Sequence, residues 1–267
     1  MKQLKKSQIY SFAIFIAVTL SALCAGQSVR EAESTWPDLS GDWAMIQVLV
    51  ATADLPIVGS LFIDTIVGAL THITQSGSSL ILQDRYCFTD TDPSTFLFTT
   101  SIADIVMHSI LPEPRTVILS LEDCDIRFTQ GWHTEVRGAV LEDPENDPLP
   151  IDPEDPRLID LEGDGHPGMT IAASILRMFT GEGYAVQRYR YQLDGTVFDA
   201  NTIIGYIDWT SEQTVVEATN PLFMETFSDD TDPDPTKHRF VMIRVDETWT
   251  CETLREQLPA ILGLLDF

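Results

Sequence analysis

Three carboxylates at alternate positions form the densest group of chemically competent residues in the chain. Asp160, Glu162 and Asp164 are followed by Gly165 in the run Asp-Leu-Glu-Gly-Asp-Gly-His-Pro-Gly. Calcium takes six to eight oxygen ligands, and a loop supplies them well from every second residue, with glycine at the sharp turn. The run therefore predicts a calcium site with these three acidic residues as ligands.

The loop departs from the EF-hand pattern at its end. An EF-hand carries a bidentate glutamate at its twelfth position, and Ile171 stands there in this chain. Pro167 and Gly168 do not suit a helix that leaves the loop. We therefore expect a non-helical, Asp-rich calcium loop of the kind found on extracellular proteins. A solvated acidic turn without an ion is the alternative, because aspartate and glycine are also common turn residues.

Two further polar pairs lie on strand-like segments. His133 and Glu135 would share one face of a strand, where they could act as an acid/base pair or a metal pair. Arg188 and Arg190 would share one face of another strand. They could bind an anionic ligand if that face lines a barrel interior, and they would balance acidic loops if it faces outward.

No catalytic residue is predicted. The sequence contains no Gly-x-Ser-x-Gly motif, no His-Glu-x-x-His motif, no phosphate-binding loop and no dinucleotide fingerprint. With 41 acidic residues in the chain, carboxylate pairs suited to glycoside hydrolysis are too common to be informative. The sequence therefore favours a protein without enzymatic activity.

The first 25 residues have the composition of an export signal. Three lysines precede an apolar run over residues 9–23, and the small residues Cys24-Ala25-Gly26 follow it, as at a signal-peptide cleavage site. Cys24 would be lipidated if the segment is a bacterial lipoprotein leader, although Leu23 fits that motif poorly. Cleavage near Ala25 by an ordinary signal peptidase is the alternative. We expect an exported protein, with residues 26–37 as a tether, in the periplasm, at the outer membrane if lipidated, or outside the cell.

The chain is strongly acidic. It has 16 basic and 41 acidic residues and a formal net charge of −25. Such a surface repels nucleic-acid phosphates and anionic lipids, so a nucleic-acid partner is disfavoured. After the leader, no apolar run reaches the roughly 18–20 residues that a membrane-spanning helix needs. The sequence does not distinguish between two kinds of partner, a small ligand and another component of the cell envelope.

Three cysteines follow Cys24 in the chain. An oxidising compartment favours one disulfide among them. Cys87 follows a predicted strand and Cys251 follows the last one, so these two form the favoured pair. Cys124 stays open as the alternative partner.

Strand-like segments recur at hairpin spacing over residues 38–267, which we interpret as one β domain. We expect about nine or ten antiparallel strands in a meander barrel, with a sandwich as the alternative. A short amphipathic helix should follow at residues 251–265. Near residue 205 the odd positions, including Ile203, Ile207 and Trp209, should face the core. Residues 142–168, rich in proline and acids, should leave the sheet as one excursion, either metal-ordered or solvated.

Gly41-Asp42-Trp43, at the entrance to the first predicted strand, resembles the Gly-x-Trp signature of lipocalins and related calycin barrels. In that family the tryptophan closes one barrel end and an arginine from the last strand packs on it, and Arg244 lies in a suitable strand. The resemblance implies a β-barrel that carries a small ligand. The acidic loop, this start and the late cysteine together also resemble exported bacterial envelope proteins, a likeness that implies no activity.

These observations favour a non-catalytic, exported binding or structural protein of the cell envelope with a calcium-ordered acidic loop. The first alternative is a calycin-like carrier of a small apolar or anionic ligand. The second alternative is a hydrolase with its active site near the acidic excursion. A lined cavity inside the barrel would favour the carrier, and an open acidic cleft would favour the enzyme.

Overall fold

The structure is a computed structural model that describes residues 36–55, 59–224 and 229–265. The predicted export signal, the candidate lipidation site at Cys24 and most of the predicted tether lie outside the described residues. One compact unit spans Pro37–Phe267. The elements below belong to that unit.

Eleven strands and two α-helices lie in the described residues. The strands are β1 (Gly41–Leu55), β2 (Gly59–Ser76), β3 (Ser79–Pro93), β4 (Phe98–Ser101), β5 (Arg115–Glu122), β6 (Asp125–Arg137), β7 (Met169–Ile175), β8 (Phe179–Asp199), β9 (Thr202–Ala218), β10 (Asp229–Thr231) and β11 (Arg239–Arg244). The helices are α1 (Asp104–Ser109) and α2 (Cys251–Leu262). Neither of these helices is long and apolar enough to cross a lipid bilayer.

Eight of the strands close into a ring. They pair in the order β1-β2-β3-β5-β6-β8-β9-β11, and β11 returns to β1, with every pairing antiparallel. The predicted antiparallel all-β class and the short C-terminal helix are confirmed. The ring is not a clean barrel, because β4 and β7 extend the sheet beside β8 and β10 pairs with β1. The predicted meander therefore holds for the ring strands, and three further strands lie outside the ring.

Alternating residues give each ring strand an inner and an outer face. On β1, Ala44 and Ile46 face outward and pack against Leu254 and Ile261 of α2. Trp43 lies on the inner face of the same strand and is fully buried. Helix α2 therefore covers one outer side of the ring.

A disulfide fixes α2 to the ring. Cys87 of β3 is bonded to Cys251, the first residue of α2. This is the pair that the sequence favours over a bond to Cys124. The bond spans 164 residues of sequence, so it holds the C-terminal helix against a strand from the first third of the chain.

The inner face of β9 is the one that the sequence predicts. Ile203, Ile207 and Trp209 are only 0%, 1% and 6% exposed, which confirms the expected parity. Gly205 lies on the same face, beside the ring of Phe240. A Cβ atom at Gly205 would come within 2.7 Å of that ring and 2.3 Å of a backbone oxygen on β8. Glycine at this position therefore makes room for the phenylalanine.

The acidic excursion is attached to the outside of the sheet. Leu141, just before the excursion, and Leu149, within it, are buried against Tyr184 of β8 and Val216 of β9. Arg188 of β8 donates its Nε to a backbone oxygen of the excursion at 2.7 Å. Apolar contacts and hydrogen bonds to backbone oxygens therefore attach the excursion to β8 and β9. The sequence predicts that this segment is either ordered by a metal ion or solvated.

Candidate ligand-binding site

One end of the ring interior contains a buried ion pair. Arg115, the first residue of β5, donates Nε and Nη2 to the carboxylate of Asp84 at 2.8 and 2.9 Å. Asp84 also accepts the hydroxyl of Thr71 at 2.6 Å, and Gln130 accepts a hydrogen bond from Arg115 Nη1. The side chains of Arg115 and Asp84 are 2% and 3% exposed, so the pair is almost fully withdrawn from water.

Glu135 is the second carboxylate of the interior. It accepts hydrogen bonds from the Tyr86 hydroxyl at 2.7 Å, from the Tyr191 hydroxyl at 3.4 Å and from Arg137 Nη2 at 3.1 Å. Arg137 Nη1 also donates to Gln187 Oε1 at 3.1 Å. The Arg115 guanidinium lies 5.8 Å from the ring centroid of Tyr191, so the two hydrogen-bonded groups are in contact. We call both groups together the polar network; its members are Thr71, Asp84, Tyr86, Arg115, Gln130, Glu135, Arg137 and Tyr191.

Burial sets the protonation of the network's titratable neighbours. Burial raises the pKa of Tyr86 and of Tyr191 well above the usual value, and the negative charge of Glu135 acts in the same direction. Both phenols therefore stay protonated and keep donating. Burial also lowers the pKa of His133, against the opposing effect of Glu135, which favours the neutral imidazole.

The other end of the ring interior is hollow. A cavity of about 130 Å³ lies there, partly open to solvent. Its apolar lining consists of Leu49, Ala53, Ile63, Val67, Phe98, Ile102, Ile171 and Trp209. Its polar lining consists of Thr65, Thr89, Thr91, Thr100, Arg137, Gln187, Tyr189, Ser211 and Gln213. This mixture of apolar surface and a few hydrogen-bonding groups is typical of small-molecule sites.

Arg137 connects the cavity to the polar network. Its guanidinium lies 5.0 Å from the ring centroid of Tyr189, and both side chains line the cavity. Arg137 Nε is buried and has no hydrogen-bond partner among the residues that the structure describes. Buried donors in folded proteins are nearly always paired. A ligand acceptor in the cavity would supply the missing partner.

The predicted calcium ligands lie in the excursion, outside the ring. Asp160 accepts the backbone N–H of Gly165 at 2.8 Å, and its pKa is lowered chiefly by this hydrogen bond. Glu162 accepts the N–H of Thr170 at 2.7 Å, and Asp164 accepts the Thr170 hydroxyl at 3.0 Å. Within the described ranges, no group of three or more His, Cys, Asp or Glu residues is arranged to hold a metal ion. Calcium binding stays a prediction.

Arg188 and Arg190 lie on the outer face of β8, opposite to the cavity. Arg188 pairs with Glu212 of β9 and holds the acidic excursion. The guanidinium of Arg190 lies 5.5 Å from the ring centroid of Trp132. Neither arginine lines the cavity. Of the two alternatives that the sequence leaves open, the structure fits the one in which this face of the strand points outward. The arginine that reaches the cavity is Arg137.

His133 and Glu135 lie close together on the inner face of β6. Their nearest nitrogen and oxygen atoms are 3.8 Å apart. Tyr86 and Arg137 donate hydrogen bonds to the carboxylate of Glu135. Neither His133 nor Glu135 lines the cavity. Glu135 therefore belongs to the polar network, His133 lies beside it, and neither is at an open reaction site.

Sequence reasoning missed the interior charges. Arg115 has the same parity on β5 as Val117 and Leu119, which are 0% and 2% exposed. This alternation places the arginine on the buried face and was a usable signal. Arg137 has the same parity as Glu135 on β6, and both are buried.

Comparison with known proteins identifies no family for this chain. A scan against models of protein families gives no match, and a search of curated proteins gives none either. The function therefore has to be argued from the geometry of the ring interior.

Proposed function

We propose that the protein is a non-catalytic carrier that holds a small ligand in the hollow end of the ring. The observation that carries the proposal is the cavity itself. It lies at one end of the ring, where Phe98 of β4 and Ile171 of β7 add to its wall, and it combines eight apolar residues with hydroxyl and amide groups. A site of this kind buries an apolar body and orients it through a few hydrogen bonds.

The contact between Trp43 and Arg244 supports a calycin-like carrier. The Arg244 guanidinium lies 4.7 Å from the Trp43 ring centroid. It also donates to the backbone oxygens of Asp38 and Ser40, both at 2.6 Å. The arrangement closes the ring end opposite to the cavity. It is the contact expected from the lipocalin resemblance of Gly41-Asp42-Trp43, and the up-and-down order of the ring strands agrees with it.

The cavity lining favours binding over hydrolysis. Among the lining residues that the structure describes, the acid–base groups are Arg137 and Tyr189. Burial raises the pKa of Tyr189, so its phenol stays protonated near neutral pH. An arginine side chain is always protonated in a protein. Neither group can take a proton from a nucleophile, so the described lining offers donors and no general base.

A cavity-blocking variant tests the proposal. Thr65 lines the cavity on β2, and a phenylalanine there would occupy part of its volume. The protein would be titrated with 1-aminoanthracene, a neutral arylamine whose emission rises in apolar surroundings. We expect saturable binding by the wild type and a loss of about tenfold or more in affinity for Thr65→Phe.

The neighbouring residue supplies the matched control. Asp64 lies on the opposite, exposed face of β2, so Asp64→Phe adds the same side chain outside the ring. This variant should bind the fluorophore as the wild type does. If both variants lose affinity equally, or if the wild type binds neither this fluorophore nor a single-ring aromatic ligand, the carrier proposal is wrong.

Export and calcium binding belong to the proposal as separate parts. The leader would deliver the carrier to the cell envelope, where nucleic acids are absent and calcium is available to the loop of Asp160, Glu162 and Asp164. A bound ion stabilises the folded state that binds it. We expect a chelator to lower the midpoint of thermal unfolding and Asp164→Ala to abolish that shift. An unchanged midpoint would count against the ion and leave the cavity unaffected.

A further inference from the structure

The charges inside the ring balance one to one. Among the described residues, the buried charged side chains of the interior are Asp84, Glu135, Arg115 and Arg137. Arg115 pairs with Asp84 at 2.7 Å, and Arg137 pairs with Glu135 at 3.1 Å. The tyrosines of the interior are neutral phenols. The ring interior therefore has no net charge before a ligand enters.

The pairing leaves unused N–H donors on Arg137 at the cavity, Nε among them. Arg137 uses Nη2 for Glu135 and Nη1 for Gln187, and its Nε is the buried group with no partner in the described structure. The Gln187 amide nitrogen is already engaged, since it donates to Ser211 at 3.1 Å. An oxygen acceptor on a ligand would pair with Arg137 Nε without displacing Glu135 or Gln187.

A carboxylate ligand would upset the charge balance. It would bring a third anion into an interior that holds two cations, both already paired, and it would lie close to the carboxylate of Glu135. An unpaired charge in a low-dielectric interior is strongly unfavourable, whereas a neutral carbonyl oxygen can accept the same N–H without adding charge. The acidic surface of the chain, with its net charge of −25, also repels anions on their approach.

We propose that the cavity selects neutral lipophiles that carry a carbonyl-type acceptor for Arg137 Nε, and that it rejects the corresponding carboxylates. This inference rests on the carrier function proposed above and names its ligand class. The volume of about 130 Å³ resembles cavities of about 150 Å³ that bind benzene. A single aromatic ring, or one end of a longer molecule that projects through the opening, therefore fits.

Three probes built on one benzene ring test the selectivity. Acetophenone has a neutral carbonyl, benzoate has a carboxylate, and ethylbenzene has no acceptor. Each would compete with 1-aminoanthracene for the wild-type protein at neutral pH. We expect acetophenone to bind about tenfold more tightly than ethylbenzene and benzoate to bind more weakly than either. If benzoate equals or exceeds acetophenone, or if ethylbenzene equals it, the inference is overturned.

A charge variant sharpens the test. Glu135→Gln leaves the positive charge of Arg137 without its partner, so the interior becomes a site for one anion. Benzoate should then gain at least about tenfold relative to acetophenone. An unchanged ratio in the folded variant would contradict the role of charge balance. The wild-type comparison stands by itself if Glu135→Gln does not fold.

The outcomes separate the two proposals. If 1-aminoanthracene binds in a way that Thr65→Phe blocks while the three probes rank differently, the ligand class is wrong and the carrier function stands. If the fluorophore fails to bind the wild type and no probe binds directly by calorimetry, both proposals fall together.

Discussion

The two ends of the ring interior differ in what fills them, although β2, β3, β6 and β8 contribute to both. On β2, Thr71 and Thr65 both face inward. Thr71 donates to the buried carboxylate of Asp84, whereas Thr65 faces the cavity. At one end, long charged side chains are satisfied by one another and occupy the space. At the other, apolar and polar side chains surround a cavity and leave hydrogen-bonding groups for a ligand.

The contrast shows how one scaffold can separate stability from binding. Buried polar groups that satisfy one another specify a single arrangement but offer nothing to a ligand. A lining of small and apolar residues gives up packing contacts, and a ligand can restore them. Arg137 lies between the two ends, because it donates to Glu135 of the polar network and also lines the cavity.

Breaking the buried ion pair should have the largest effect. Arg115→Met removes the cation and leaves Asp84 buried without a counter-charge. We expect a loss of about 3–5 kcal/mol in the free energy of unfolding, measured by urea or guanidinium denaturation. The double variant Asp84→Asn/Arg115→Met, which removes both charges, should recover much of this loss. A loss below about 1 kcal/mol for the single variant would mean that the network is not dry.

The two threonines of β2 give a matched comparison of intermediate size. Thr71→Val removes a hydrogen bond to a buried carboxylate, so the free energy of unfolding should fall by about 1.5–3 kcal/mol. Thr65→Val removes a hydroxyl from the cavity wall and should change it by less than about 0.5 kcal/mol. Chemical denaturation of both variants measures the difference. Equal losses would show that the cavity end is as tightly organised as the network end.

The pH dependence of the free energy of unfolding should be the smallest effect. It should change with a substitution at His133 and not with one in the cavity. Burial lowers the pKa of His133 below its usual 6.5 in the folded protein. As the pH falls through 6.5, the unfolded chain binds a proton that the folded chain does not, so stability decreases until the pH passes the folded-state pKa. His133→Gln should remove this part of the pH dependence of unfolding. Thr65→Val, in the cavity, should leave it unchanged, and a pH profile unaltered by His133→Gln would contradict the assignment.

The fold class could be predicted from the sequence because the alternation of inward-facing and outward-facing residues along a strand is a local signal. The parity of Ile203, Ile207 and Trp209 on β9 follows from neighbouring residues alone. Strand positions favoured the pair Cys87–Cys251 but left Cys124 as an alternative partner. The charged interior was harder to predict because arginine and aspartate on a strand usually face solvent. Only the apolar neighbours of Arg115 at the same parity indicate otherwise.

The cavity and the attachment of the excursion depend on long-range packing, which no short pattern encodes. A void is the difference between the volume that a ring encloses and the summed volumes of its inward side chains. The lining residues come from strands distributed over most of the chain, from Leu49 to Gln213. In the excursion, Leu149 stands between two prolines, so its burial against β8 and β9 has no periodic signature.

The central claim is that one end of the ring interior receives a ligand and the other does not. Methyl-resolved NMR with acetophenone tests it most directly, since both ends carry methyl groups. Leu49, Ile63 and Ile171 line the cavity, and Leu80 and Val117 are buried at the opposite end. We predict saturable shifts of the first three methyl signals and unchanged signals for the other two. Shifts confined to Leu80 and Val117, or no shift at any of the five, would contradict the account.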